Sequence, residues 1–212
     1  MMIGSRVFLA SAAAALLAVL PGNALAAQCA PVHVTVGTPR AGITAYAMPQ
    51  DRKYGEERAL GPDAIGVAAD GTVWFTFELS EAPGVATLRN GNIQRCSSAS
   101  VDAAGKAFAQ ATGLSAKYVA PAIQPAVPPG GSVYMQAVAP NGVTWFTLQY
   151  IGRDGNPAKG GRLGSIDKAK HVRIFQIPGS GEMVSIAVAK DGIIWLGDYY
   201  NEQIIEVDPS KL

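Results

Sequence analysis

The apolar positions of the chain come in paired runs, and each pair is split by the same kind of polar dipeptide. Ile65-Gly66-Val67-Ala68 precedes Asp70-Gly71, and Val73-Trp74-Phe75-Thr76-Phe77 follows it. Ala137-Val138-Ala139 precedes Asn141-Gly142, with Thr144-Trp145-Phe146-Thr147-Leu148 after it. Ile186-Ala187-Val188-Ala189 precedes Asp191-Gly192, with Ile193-Ile194-Trp195-Leu196 after it. Asp-Gly and Asn-Gly favour a type I′ turn, whose two central residues need positive φ. Each pair therefore predicts strand, two-residue turn, strand. The strands after the turns are apolar on both faces, as in sheets covered on both sides. All three tryptophans fall four residues after the turn Asp or Asn, so the stretches read as drifted copies of one unit.

Further strands follow each hairpin: Gly84–Leu88 and Asn92–Arg95, then Gly161–Asp167 and His171–Pro178, then Gln203–Pro209. Four strands per copy is the period of a propeller blade. The predicted fold is all-β, with blades of four antiparallel strands; three unrelated hairpins of a β-sandwich is the competing reading. The repeats run over about 61–96, 132–178 and 182–212. The last copy ends after its third strand, and Gly42–Pro49 resembles the fourth strand of a repeat. Residues 42–49 are thus expected to complete the last blade and remove an open edge. Residues 28–41 read as an irregular lead-in and 51–60 as a polar loop.

An insert at about 97–131 breaks the spacing. In it, Ser100 is placed to cap a helix over 101–110, Gly113 to end it, and Pro121–Gly130 reads as a loop. A degraded repeat is the other reading of this insert. Closed rings typically need about four to eight blades. Three repeats then imply completion by a second subunit, an insert acting as a fourth blade, or a shortened relative of a longer ring. An open arc would expose apolar faces at both ends, which predicts association into a homodimer.

Composition bounds the partners. Of 212 residues, 16% are charged and the formal net charge is +1, which offers no electrostatic footprint for nucleic acid or an anionic membrane. Residues 1–27 read as a secretory signal peptide: Arg6, an apolar run from Val7 to Leu20 too short to span, a Pro21-Gly22 break, and small residues at Ala24-Leu25-Ala26-Ala27. The expected mature product, 28–212, is periplasmic or secreted, with no membrane span after cleavage. Both cysteines, Cys29 and Cys96, follow the signal and are expected to form a disulfide in an oxidising compartment. No GxSxG, HExxH or phosphate-loop pattern occurs.

The repeat resembles that of the streptogramin (virginiamycin B) lyases. The residues that carry the resemblance are Pro62, Ile65, Val67 and Asp70-Gly71-Thr72-Val73-Trp74-Phe75-Thr76, then Leu163-Gly164-Ser165-Ile166-Asp167, Phe175-Gln176-Ile177-Pro178, and Asp191-Gly192-Ile193-Ile194-Trp195. It covers roughly 60–212, and NHL- and SMP-30-type propellers share looser versions. The resemblance implies a ring whose mouth opens a cyclic depsipeptide by elimination across its ester bond, using a His base, an acid and Mg²⁺. The His slot, seven residues before the turn Asp or Asn, holds Asp63, Tyr134 and Val184 here. The acid slot, seven residues after it, holds Phe77, Leu148 and Asp198. The family His is absent, so no catalytic residue is assigned. Asp63, Tyr134 and Asp198 are the candidate ligand-binding residues, with Asp63 and Asp198 as candidate carboxylate ligands for Mg²⁺. The expected function is an exported propeller that binds a small molecule or peptide at the ring mouth; a non-catalytic binding or scaffold module of the cell envelope is the alternative.

Overall fold

The computed structural model describes residues 29–48, 61–77, 83–117, 121–127, 131–150, 161–199 and 201–212. The expected signal over 1–27 and the expected polar loop over 51–60 lie outside them. The described chain is predominantly β, with antiparallel pairing throughout its sheets and one α-helix.

The strands are β1 (Cys29–Val32), β2 (Thr35–Val36), β3 (Ile43–Ala47), β4 (Pro62–Val67), β5 (Val73–Phe77), β6 (Gly84–Arg89), β7 (Asn92–Ser97), β8 (Gly131–Val138), β9 (Thr144–Tyr150), β10 (Arg162–Ile166), β11 (Val172–Gln176), β12 (Met183–Val188), β13 (Ile194–Asp198) and β14 (Gln203–Val207). They form three sheets, with strand orders β1-β7-β6-β5-β4, β11-β10-β9-β8 and β12-β13-β14-β3-β2. Each holds one repeat as a four-strand meander. The third is completed as expected: β3 pairs with β14, Ile43 opposite Val207 and Ala47 opposite Gln203.

The lead-in is not irregular. β1 adds to the outer edge of the first sheet and β2 to that of the third. Cys29 stands opposite Cys96 in register and the two form a disulfide. The mostly exposed β1 and β2 gain ladder hydrogen bonds rather than apolar burial, so no hydrophobic alternation announced them.

The turns also differ from expectation. The Ala68 N–H donates to Thr72 O and the Gly71 N–H to Ala68 O, with φ +84° at Gly71. Of the two residues in the Asp-Gly pair, only the glycine has positive φ, which makes a three-residue loop: a type I turn followed by a left-handed residue. The same pattern closes Ala139–Val143 and Ala189–Ile193. The Asp or Asn accepts the N–H two residues on: Thr72 to Asp70, Val143 to Asn141, Ile193 to Asp191. The thermodynamic demand for Asp or Asn is thus side-chain capping, not positive φ. A true type I′ pair occurs at Asn90-Gly91, between β6 and β7.

The sheets stack in the order second, third, first. Their closest backbone approach runs along the first strands: β12 lies against both β4 and β8. One core between the first and third sheets holds Val73, Phe75, Phe77, Ala187 and Ile204, with Trp195 against it. Another, between the second and third, holds Trp145, Leu163, Ile177, Ile194 and Leu196. The helix α1 (Val101–Thr112) forms where predicted. Ser100 Oγ accepts from the Ala103 N–H at 3.1 Å, and Gly113, at φ +74°, donates to Ala109 O. Ala104, Ala107 and Phe108 pack on Ala64, Val85 and Trp74 of the first sheet. Among the described residues the insert holds no fourth sheet.

Candidate ligand-binding site

Each first strand carries an irregularity near its start: between Pro62 and Ile65, between Val133 and Gln136, and between Met183 and Ser185. Bulges re-aim the side chains beside them. The slot residues Asp63, Tyr134 and Val184 sit in these irregularities. In the first two repeats a buried threonine pins the bulge. Thr76 Oγ1 accepts the Ala64 N–H and Thr147 Oγ1 accepts the Met135 N–H, each at 3.2 Å. The third repeat has Gly197 in the threonine position. A Cβ there would lie 2.3 Å from Ser185 Oγ, so the serine occupies the space the threonine would need.

Asp63 and Tyr134 share one cavity of about 680 Å³. The first sheet contributes Asp63, Thr76 and Phe77. Helix α1 contributes Val101, Asp102, Gly105, Lys106 and Ala109, whose spacing puts them on adjoining faces of one helix. Ser115, Ala116 and Lys117 close another side, and Tyr134 is the contribution of the second sheet. Apolar and charged groups of both signs therefore meet in a volume suited to a drug-sized ligand. The wall made by α1 and Lys117 was not foreseen as part of a site. The only sequence signal for it is the i, i+4 pair Asp102 and Lys106 on the predicted helix.

Asp198 does not line this cavity. It is fully buried, and its carboxylate accepts the N–H groups of Gly181 and Asn201, the Asn201 side-chain amide, and Gln203 Nε2 at 2.8 Å. It ties the Gly179–Gly181 loop to β14, which is a structural duty. Among the described residues no group of three or more His, Cys, Asp or Glu gathers closely enough to hold a metal ion. Asp63 lines the cavity and Asp198 does not, so these two carboxylates do not share it, and no step is derived through the Mg²⁺ implied by the resemblance.

Neither histidine lines the cavity. His171 is exposed, with its N–H and Nδ1 against Asp167 in the β10–β11 loop. His33 borders a separate surface hollow with Gly91 and Asn92. Elsewhere, Gln149 Nε2 donates to Glu182 Oε1, which joins the second sheet to the segment entering the third.

No protein-family model and no curated protein matches the chain. Solved structures do match it. A catalytically inactive virginiamycin B lyase from Staphylococcus aureus with quinupristin is 16% identical, with 74% of this chain and 55% of that one covered and a TM-score of 0.25. A selenomethionine-substituted virginiamycin B lyase from Staphylococcus aureus is 17% identical, with 85% and 67% covered and a TM-score of 0.24. A streptogramin B lyase structure is 12% identical, with 84% and 64% covered and a TM-score of 0.23. Each is a virginiamycin B or streptogramin B lyase. The chain spans between about half and two thirds of the length of these proteins. At such scores the overlap is loose, and the site stands on its own residues.

Proposed function

We propose that this protein is an exported binding module of propeller type, which takes a small molecule or peptide in the cavity between the first sheet, α1 and Tyr134. The observation that supports this is the convergence of Asp63 and Tyr134. They hold the same position in two repeats, are set by equivalent bulges and threonines, and meet in one cavity of ligand size. Export is supported by the Cys29–Cys96 disulfide and the signal-like 1–27 sequence. No helix among the described residues is long and apolar enough to cross a membrane. The reading is of binding without lyase chemistry, because the His slot carries Asp63, Tyr134 and Val184.

The test has two arms. A thermal-shift screen of small molecules and short peptides should yield ligands whose shift is lost in both Asp63→Ala and Tyr134→Ala. Hits that survive both substitutions would overturn the site. Incubation with a streptogramin B and Mg²⁺, followed by mass spectrometry, should leave the ring intact. Ring opening that Asp63→Ala abolishes would replace the binding reading with an enzymatic one.

A further inference from the structure

We infer that the insert between the first and second repeats acts as a surrogate blade. It covers both ends of the three-sheet arc, so the chain is self-contained and needs no second subunit to bury its end faces. The argument starts from the tryptophans. Trp145 faces the third sheet and Trp195 faces the core between the third and first sheets. Trp74, at the same repeat position, faces α1. Each tryptophan points to the same side of its own sheet, and on the first sheet that side is covered by the helix. Gly66 lets the helix sit close, since a Cβ there would lie 2.9–3.0 Å from Thr112 and Phe108.

The opposite faces behave in the same way. Phe75 points from the first sheet to the third, and Leu196 from the third to the second. Phe146, the matching residue of the second sheet, points outward with Val133 and Leu148, and Ile123 and Val127 of the insert pack against this group. The Ile123 N–H also donates to Gln136 Oε1. One covalent segment thus covers both faces that an open arc would leave apolar, and it lies in the chain between the two sheets concerned. The ligand cavity is the gap between helix and sheets at this junction. The inference holds whether or not that cavity takes a ligand.

The disulfide-bonded mature protein should sediment as a monomer at micromolar concentration. Phe108→Asp, which places a charge under the helix against Trp74, should expose the first sheet's end face. With β-sheet circular dichroism retained, this variant should at least double the weight-average mass or raise binding of the dye anilinonaphthalene sulfonate several-fold. A dimeric wild type, or a folded Phe108→Asp variant with unchanged mass and dye binding, overturns the inference. If the variant does not fold, hydrogen exchange on the wild-type monomer decides. Amides in α1 protected to the same degree as those of β5 support it, and freely exchanging α1 amides refute it.

Discussion

Two glycines of the repeat are needed for different physical reasons, and substitution separates them. At Gly192 φ is +90° and an added Cβ would meet open space, so Gly192→Ala carries only the backbone cost of about 1 kcal/mol. At Gly164 an added Cβ would lie 2.1 Å from the fully buried Phe146 ring, a clash that relaxation cannot relieve cheaply. Gly164→Ala should cost about 3 kcal/mol. Urea midpoints for the two variants check the order, and equal losses would contradict it. This pair also explains why the Trp-Phe-Thr and Leu-Gly-Ser stretches go together: Phe146 stands opposite Gly164 in register, as Phe75 stands opposite Ala86. At this scale the turn positions were legible in the sequence, but their geometry was not. Asp70 takes a hydrogen bond from Thr72, which chiefly holds its carboxyl below the usual carboxylate range, and a dipeptide alone cannot distinguish that role from positive φ.

Among the elements, the repeat strands and α1 were readable because apolar periodicity and caps mark them. The segment over β1 and β2 was missed because most of its residues face solvent, which leaves no apolar alternation to mark it. It runs along the outer edges of two different sheets, and Val32 and Val34 pack on the core between them. Its anchor is the disulfide, which closes a sequence separation of 67 residues. Loop entropy assigns that bond roughly 4.4 kcal/mol. Replacing Cys29 and Cys96 together by alanine should lower stability by that order. Dithiothreitol should lower the wild-type melting temperature toward the double variant and leave the variant unmoved. If the reductant shifts both equally, the bond is not the anchor. The candidate site was legible only in halves: Asp63 and Tyr134 came from repeat position, while the helical wall needed a tertiary contact that no local pattern encodes.

For the molecule as a whole, the critical seam joins opposite ends of the chain. Tyr46 of β3 donates its hydroxyl to Glu206 of β14 at 2.7 Å across 160 residues of sequence. Burial, and then the hydrogen bond and charge of Glu206, push the Tyr46 phenol well above its ordinary range. An acid whose folded pKa is raised favours folding below its unfolded value, and that contribution fades as pH climbs past about 10. Wild-type stability should therefore fall progressively above about pH 10, from the unfolded phenol's pKa toward the raised folded one, and Tyr46→Phe should flatten that part of the profile. Identical alkaline profiles would refute the assignment. The spatial order of sheets, second-third-first, could be anticipated only through the short resemblance of 42–49 to a fourth strand, since repeat order alone suggests first-second-third. The same seam constrains how the chain is made. The strand over 43–47 emerges early but must wait for 203–207, a lag of roughly ten to thirty seconds at ordinary elongation rates. During synthesis it is an edge awaiting its partner strand, so holdase chaperones that bind extended apolar segments have a defined target in β3.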